Sequence, residues 1–137
     1  MSANRLCTSA ALLLAAVFAP ACPAVSLQGS EWRPLRVADE AVPPNTDAFI
    51  RFMSKGRLAG HSGCNRLLTE YQVIDDQIFF GPVAATRMMC ESSAMAFEAA
   101  FAAALENARR FRRDGASLVL FDSAGQPILE MRQSDWD

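Results

Sequence analysis

The sequence predicts an α+β domain in which a curved, largely antiparallel sheet packs around one amphipathic helix. Three observations carry that reading. Short segments rich in Val, Ile, Leu and Phe are separated by Gly, Pro, Asn and Asp turn signals, which is how strands and hairpins are punctuated. One stretch beginning at Ser92 or Ser93 runs on without Gly or Pro and repeats apolar residues at helical spacing. Strands lie on both sides of that stretch and do not alternate with helices, so a parallel α/β arrangement is not indicated.

Taken in order, Glu31 to Val37 reads as a first strand, and Pro34 within it suits an edge or a strand start because proline has no N–H to give to a ladder. Ala41 to Thr46 is a loop, with two prolines and an Asn. Ala48 to Met53 carries Phe49, Ile50 and Phe52 as a strand, and Ser54-Lys55-Gly56 turns it into Arg57 to Gly60. Glycines at 60 and 63 bracket His61-Ser62 ahead of Cys64-Asn65-Arg66, which predicts a bulged or left-handed path. Leu67 to Ile74 and Gln77 to Phe80 form a hairpin around Asp75-Asp76, and Gly81-Pro82 ends it. In the helix, Phe97, Phe101, Leu105 and Ala108 share one face, while Glu98, Ala102 and Glu106 lie elsewhere on the cylinder; Ser92 or Ser93 is the expected N-cap. Arg109 to Arg113 then leads through Asp114-Gly115 to the strand Ala116 to Phe121, and Asp122 to Gly125 turns into Pro127 to Arg132.

The 137 residues allow one domain of ordinary size. With 51% apolar and 20% charged residues the chain can bury a core, which excludes a disordered or collagen-like polymer. A net charge of −2 lacks the basic excess of a domain that grips a nucleic-acid backbone, so nucleic acid is excluded as the expected partner.

At the N-terminus, Arg5 precedes an apolar run from about Ala10 to Phe18 followed by small residues, the pattern of a secretory signal peptide over residues 1–24. The run is about half the ~20 residues a spanning helix needs. The chain is therefore expected to be exported to the periplasm or envelope, with one domain over 25–137. Two processing routes stand open. Ala19-Pro20-Ala21-Cys22 is a degraded lipobox, in which Cys22 is acylated, becomes the first mature residue and attaches the protein to the membrane; ordinary cleavage after Ala24 discards Cys22. Cleavage after Ala21 without acylation leaves an odd thiol, which cysteine parity opposes.

Cys64 and Cys90 survive either route. They stand 26 positions apart, and in an exported chain a disulfide is the default, tying the glycine loop to the segment before the helix. The rival is a redox-active or metal-binding pair, for which no C-x-x-C spacing exists. His61, three residues before Cys64, and Met88-Met89 beside Cys90 allow a soft copper site to be drawn, but the ligands are too few and too spread. No Gly-x-Ser-x-Gly, paired-carboxylate or Cys-His-orienter pattern is present. No catalytic residue, metal ligand or cofactor site is assigned. Arg109, Arg110, Arg112 and Arg113 around Phe111 form a basic cluster, read as solvated arginines on a strand with Phe111 inward; attraction of lipid headgroups or another polyanion is the alternative.

Three separated motifs carry a resemblance. Leu58-Ala59-Gly60-His61-Ser62-Gly63-Cys64-Asn65-Arg66, then Tyr71, then Phe80-Gly81-Pro82-Val83-Ala84-Ala85-Thr86-Arg87-Met88-Met89-Cys90, followed by the helix with Phe97 and Leu105, resemble the META domain of the HslJ heat-shock family. Glu31-Trp32 and Leu118-Val119-Leu120 match that family's ends. The chain departs from the pattern at Thr69, where the family usually has glycine. The resemblance implies a compact α+β domain, often displayed on a bacterial envelope lipoprotein, associated with envelope stress or drug tolerance. It brings no catalytic residues, and Gly63, Cys64, Asn65, Arg66, Thr86, Arg87, Met88 and Cys90 carry over as structural motif residues only. The expected function is thus a non-enzymatic, stress-associated envelope module, a monomer that binds or buffers an envelope component. The alternative is a thiol-redox or metal-handling protein using Cys64 and Cys90.

Overall fold

The computed structural model describes residues 26–134. The leader and Cys22 lie outside the described residues. Ten strands and one α-helix follow in the order β1 (Glu31–Val37), β2 (Glu40–Ala41), β3 (Ala48–Phe52), β4 (Arg57–Ser62), β5 (Arg66–Ile74), β6 (Gln77–Phe80), β7 (Ala84–Ala85), α1 (Ser92–Asn107), β8 (Arg110–Asp114), β9 (Ser117–Phe121) and β10 (Pro127–Gln133).

Each strand pairs antiparallel with its neighbour in the order β10-β9-β8-β6-β5-β4-β3-β1, and β10 then returns to β1 from Trp32 opposite Gln133 to Val37 opposite Leu129. The sheet is therefore a closed eight-stranded barrel, which corrects the expectation of a curved sheet wrapped around a helix. Pro34 explains the misreading. Between Pro34 and Arg36 the register of β1 against β10 shifts by a bulge, so the missing N–H falls where the ladder is already interrupted and β1 need not be an edge. The two short strands sit outside the ring order: β2 pairs with β1, and β7 pairs with β5 beyond the Gly81-Pro82 break.

Side chains alternate inward and outward along the strands. Trp32, Ile50, Phe52, Ile78, Leu118 and Leu120 point in and are fully shielded from solvent. Phe52 meets Tyr71 edge-on with centroids 4.9 Å apart. Burial raises the Tyr71 phenol above its ordinary pKa, and its OH donates to the Met53 carbonyl at 3.1 Å. Gly60 is required by close approach, since a Cβ there would stand 2.5 Å from the Phe49 carbonyl oxygen.

Helix α1 touches β1, β4, β6 and β10, which lie on different sides of the ring, so it plugs one mouth of the barrel. Phe101, Ala104 and Leu105 enter that mouth, with Ala108 buried just past the helix end, and Phe97 stacks on Phe101 at 5.5 Å. The sequence places this face correctly but misplaces the cap: Ser92 is already helical, and the N-cap is Glu91, which makes no side-chain capping bond. On β8, Phe111 is buried while Arg110 and Arg112 are exposed.

Candidate functional site

The family-like motif residues meet where β4 turns into β5 beneath the N-terminal half of α1. The turn is tight because Ser62 organises it: its backbone N–H donates to the Asn65 carbonyl at 2.9 Å, and its Oγ accepts from the Cys64 and Asn65 N–H groups at 3.2 and 3.0 Å. Gly63 takes φ +92°, the left-handed conformation that disfavours a side chain, and its N–H donates to His61 Nδ1 at 2.9 Å.

Asn65, 1% exposed, is the hub of the arrangement. Its Oδ1 accepts from the Met88 N–H at 2.7 Å and from Thr86 Oγ1 at 2.9 Å, and its Nδ2 donates to Glu98 Oε2 at 2.9 Å. Thr86 Oγ1 accepts from the Arg66 N–H at 3.1 Å. Ser62 Oγ donates to the same Glu98 carboxylate at 2.6 Å. Alongside, Cys64 and Cys90 are joined by a disulfide with Cα atoms 6.1 Å apart, and Met95 Sδ lies 3.8 Å from Cys64 Sγ. Turn, strap and helix are thereby fastened to one another: residues 62–65, residues 86–90 and Glu98.

The sequence expectation left Glu98 off the apolar face, elsewhere on the cylinder. It is half-buried and is the helix's contribution to this hub. Its signal in the sequence was absent, because an acid flanked by Phe97 and Ala99 reads as solvent-facing until the turn that meets it is known. Arg66 takes part through its backbone alone, and the Arg87 side chain is exposed; nothing in the structure explains why the motif has an arginine there. Met88 and Met89 are 63% and 91% exposed. His61 lies on β4 opposite Arg66, and among the described residues no three His, Cys, Asp or Glu side chains converge as a metal site.

The arrangement is one of mutual satisfaction: among the described residues no buried side-chain N or O atom lacks a partner. Over residues 25–135 the chain matches the META domain. It belongs to that family. The META domain described here is similar in fold to the NMR structure of a protein from Burkholderia xenovorans, with a TM-score of 0.67 and 23% identity over 86% of this chain and 98% of that one. A second NMR structure of a protein matches with a TM-score of 0.64 and 22% identity over 80% of this chain and 92% of that one. A crystal structure of a duf4847 family protein from Bacteroides vulgatus matches with a TM-score of 0.52 and 17% identity over 67% of this chain and 62% of that one. No curated protein matches the chain.

Proposed function

We propose that this META domain is a non-enzymatic, stress-associated module of the cell envelope that acts by presenting a rigid surface to an envelope component. One observation carries the reading. The polar motif side chains that have the chemistry to act on a substrate, Asn65, Thr86 and Glu98, bond to one another and to backbone, and Cys64 and Cys90 bond to each other. Groups already satisfied inside a protein hold loops together; a reacting site keeps a donor, acceptor or thiolate directed at the place its substrate will occupy. Export by the N-terminal leader, and membrane attachment through Cys22 where that residue is acylated, complete the reading.

The test compares survival of heat or antibiotic stress in cells carrying Cys64→Ser/Cys90→Ser, Asn65→Ala, or a core variant of matched stability such as Leu120→Ala. A structural role predicts that survival follows the amount of folded protein in all three. A cysteine variant that is folded and abundant yet as defective as a deletion overturns it in favour of thiol chemistry. Copper or zinc bound at one equivalent to the purified exported protein overturns it in favour of metal handling. Fractionation and N-terminal sequencing of the mature chain decide localisation: an acylated Cys22 start sends it to membranes, a Val25 start to the soluble envelope fraction.

A further inference from the structure

Outward-facing positions on β1, β10 and β8, three strands of one four-strand wall, gather arginines that are far apart in sequence. Across the β1–β10 ladder Arg33 faces Arg132, and Arg36 faces Glu130. One strand further on, Glu130 faces Val119, which in turn faces Arg112 on β8, and Phe121 faces Arg110. Arg33, Arg36, Arg110, Arg112 and Arg132 are all exposed. The acids on the same wall are Glu130 and Asp114, with Glu31 at its rim bound to Arg51. Arg36 pairs with Glu130 at 3.8 Å within the wall, and Glu31 pairs with Arg51 at its rim. A chain whose net charge is −2 thus sets five cations against three acids on a single wall, and one of the three, Glu31, is bound to Arg51.

Two details separate this wall from an ordinary solvated surface. Like charges directly opposite on an antiparallel pair repel and destabilise it, yet Arg33 and Arg132 occupy such a position. The bulge after Pro34 also turns two successive side chains, Leu35 and Arg36, to the outside, leaving Leu35 51% exposed between Arg33 and Arg36. Phe121, with the Arg112 guanidinium 5.4 Å from its ring, adds a second apolar group.

We propose that the β1-β10-β9-β8 wall docks on an anionic phospholipid bilayer, with the arginines on headgroup phosphates and Leu35 at the acyl boundary. The spacing selects this occupant. Strands stand about 4.8 Å apart, so the five arginines, two on β1, one on β10 and two on β8, are spread across the wall and converge on no single point. A small anion needs convergent donors and a linear polyanion needs a track; cations dispersed over a convex wall, each on a long flexible side chain, suit the dispersed phosphates of a headgroup layer. The proposal takes from the envelope reading only that the protein meets a bilayer; fractionation tests that reading and the vesicles below test this one, so each fails separately.

The experiment uses exported, purified protein carrying Cys22→Ala, so that no acyl group contributes, sedimented with vesicles of phosphatidylcholine alone or of phosphatidylcholine and phosphatidylglycerol in equal parts. The protein is expected to sediment with the anionic vesicles only, and to be released as ionic strength rises from about 10 to about 150 mM. Arg33→Ser/Arg132→Ser should lower partitioning on the order of tenfold or more. Lys55→Ser/Arg57→Ser, an equal charge change where β3 turns into β4, should leave it within about twofold. The melting temperature of Arg33→Ser/Arg132→Ser should hold or rise, because a repulsion is removed. Equal binding to both vesicle types, no binding, equal loss in the two double variants, or a melting temperature that falls along with binding overturns the proposal. So does capture by an acidic protein or by inorganic polyphosphate without vesicle binding.

Discussion

At the helix mouth of the barrel, a disulfide, a buried amide and a carboxylate hold turn, strap and helix together. At the opposite mouth, Trp32 and Leu27 are buried, the Trp32 indole N–H donates to Ser30 Oγ at 2.7 Å, and the Ser30 hydroxyl donates to the Leu27 carbonyl. Arg113 closes over Trp32 at 5.1 Å, donating to the Ser26 carbonyl and Gln133 Oε1 at 2.8 Å each. The first mouth depends on covalent and polar contacts between segments distant in sequence; the second depends on an aromatic anchor capped by a cation. One end of the barrel is therefore expected to weaken in reductant and the other to be unaffected.

The largest expected effect tests the second mouth. Trp32→Ala should cost about 3–5 kcal/mol of unfolding free energy in urea titration, by the same amount with and without reductant. A loss that depends on reductant would mean that the two mouths are coupled. Next, Cys64→Ser/Cys90→Ser should cost about 3.5 kcal/mol, the chain-entropy value for a closed loop of about 27 residues, and reductant should bring the unmodified protein to the same midpoint. Unmodified protein that keeps its midpoint with both thiols free would show that the bridge adds nothing.

Asn65→Ala should cost about 2 kcal/mol, because the Met88 N–H and the Glu98 carboxylate each lose a partner. Combined with Glu98→Ala it should be non-additive by about 1 kcal/mol, whereas combined with Trp32→Ala it should add within about 0.5 kcal/mol. The reverse pattern would break the division between the mouths. The smallest effect belongs to Met89→Ala: at 91% exposure it should stay within about 0.5 kcal/mol, since the side chain packs against nothing that holds the strap.

What was readable in the sequence divides along local and non-local lines. Hairpins such as β5–β6 around Asp75-Asp76, and the apolar face of α1, announce themselves through spacing and turn chemistry within a few residues. Barrel closure does not, because the alternation that makes a strand one-sided is the same in an open sheet and in a closed ring, and Glu31–Val37 meets Pro127–Gln133 across roughly a hundred residues. Within the hub, the cysteines and Asn65 stand out by motif, yet their partner Glu98 is set by which turn of α1 lands over Ser62. The arginine wall is less legible still. Arg110 and Arg112 are visible as a cluster, but Arg33, Arg36 and Arg132 join them only through the register of three ladders.

Closing the ring also brings the two ends of the described chain to one mouth. Ser134 donates its N–H to the Glu31 carbonyl at 2.9 Å, and Arg113 bridges Ser26 to Gln133, so the two ends of the described chain sit side by side at the Trp32 mouth. The seven residues of β1 cover about 20 Å from that mouth to the other. The disulfide and the exposed Met88-Met89 strap are thus carried at the far rim, a strand's length from both chain ends, so whatever meets the strap approaches the barrel from the side opposite to its termini.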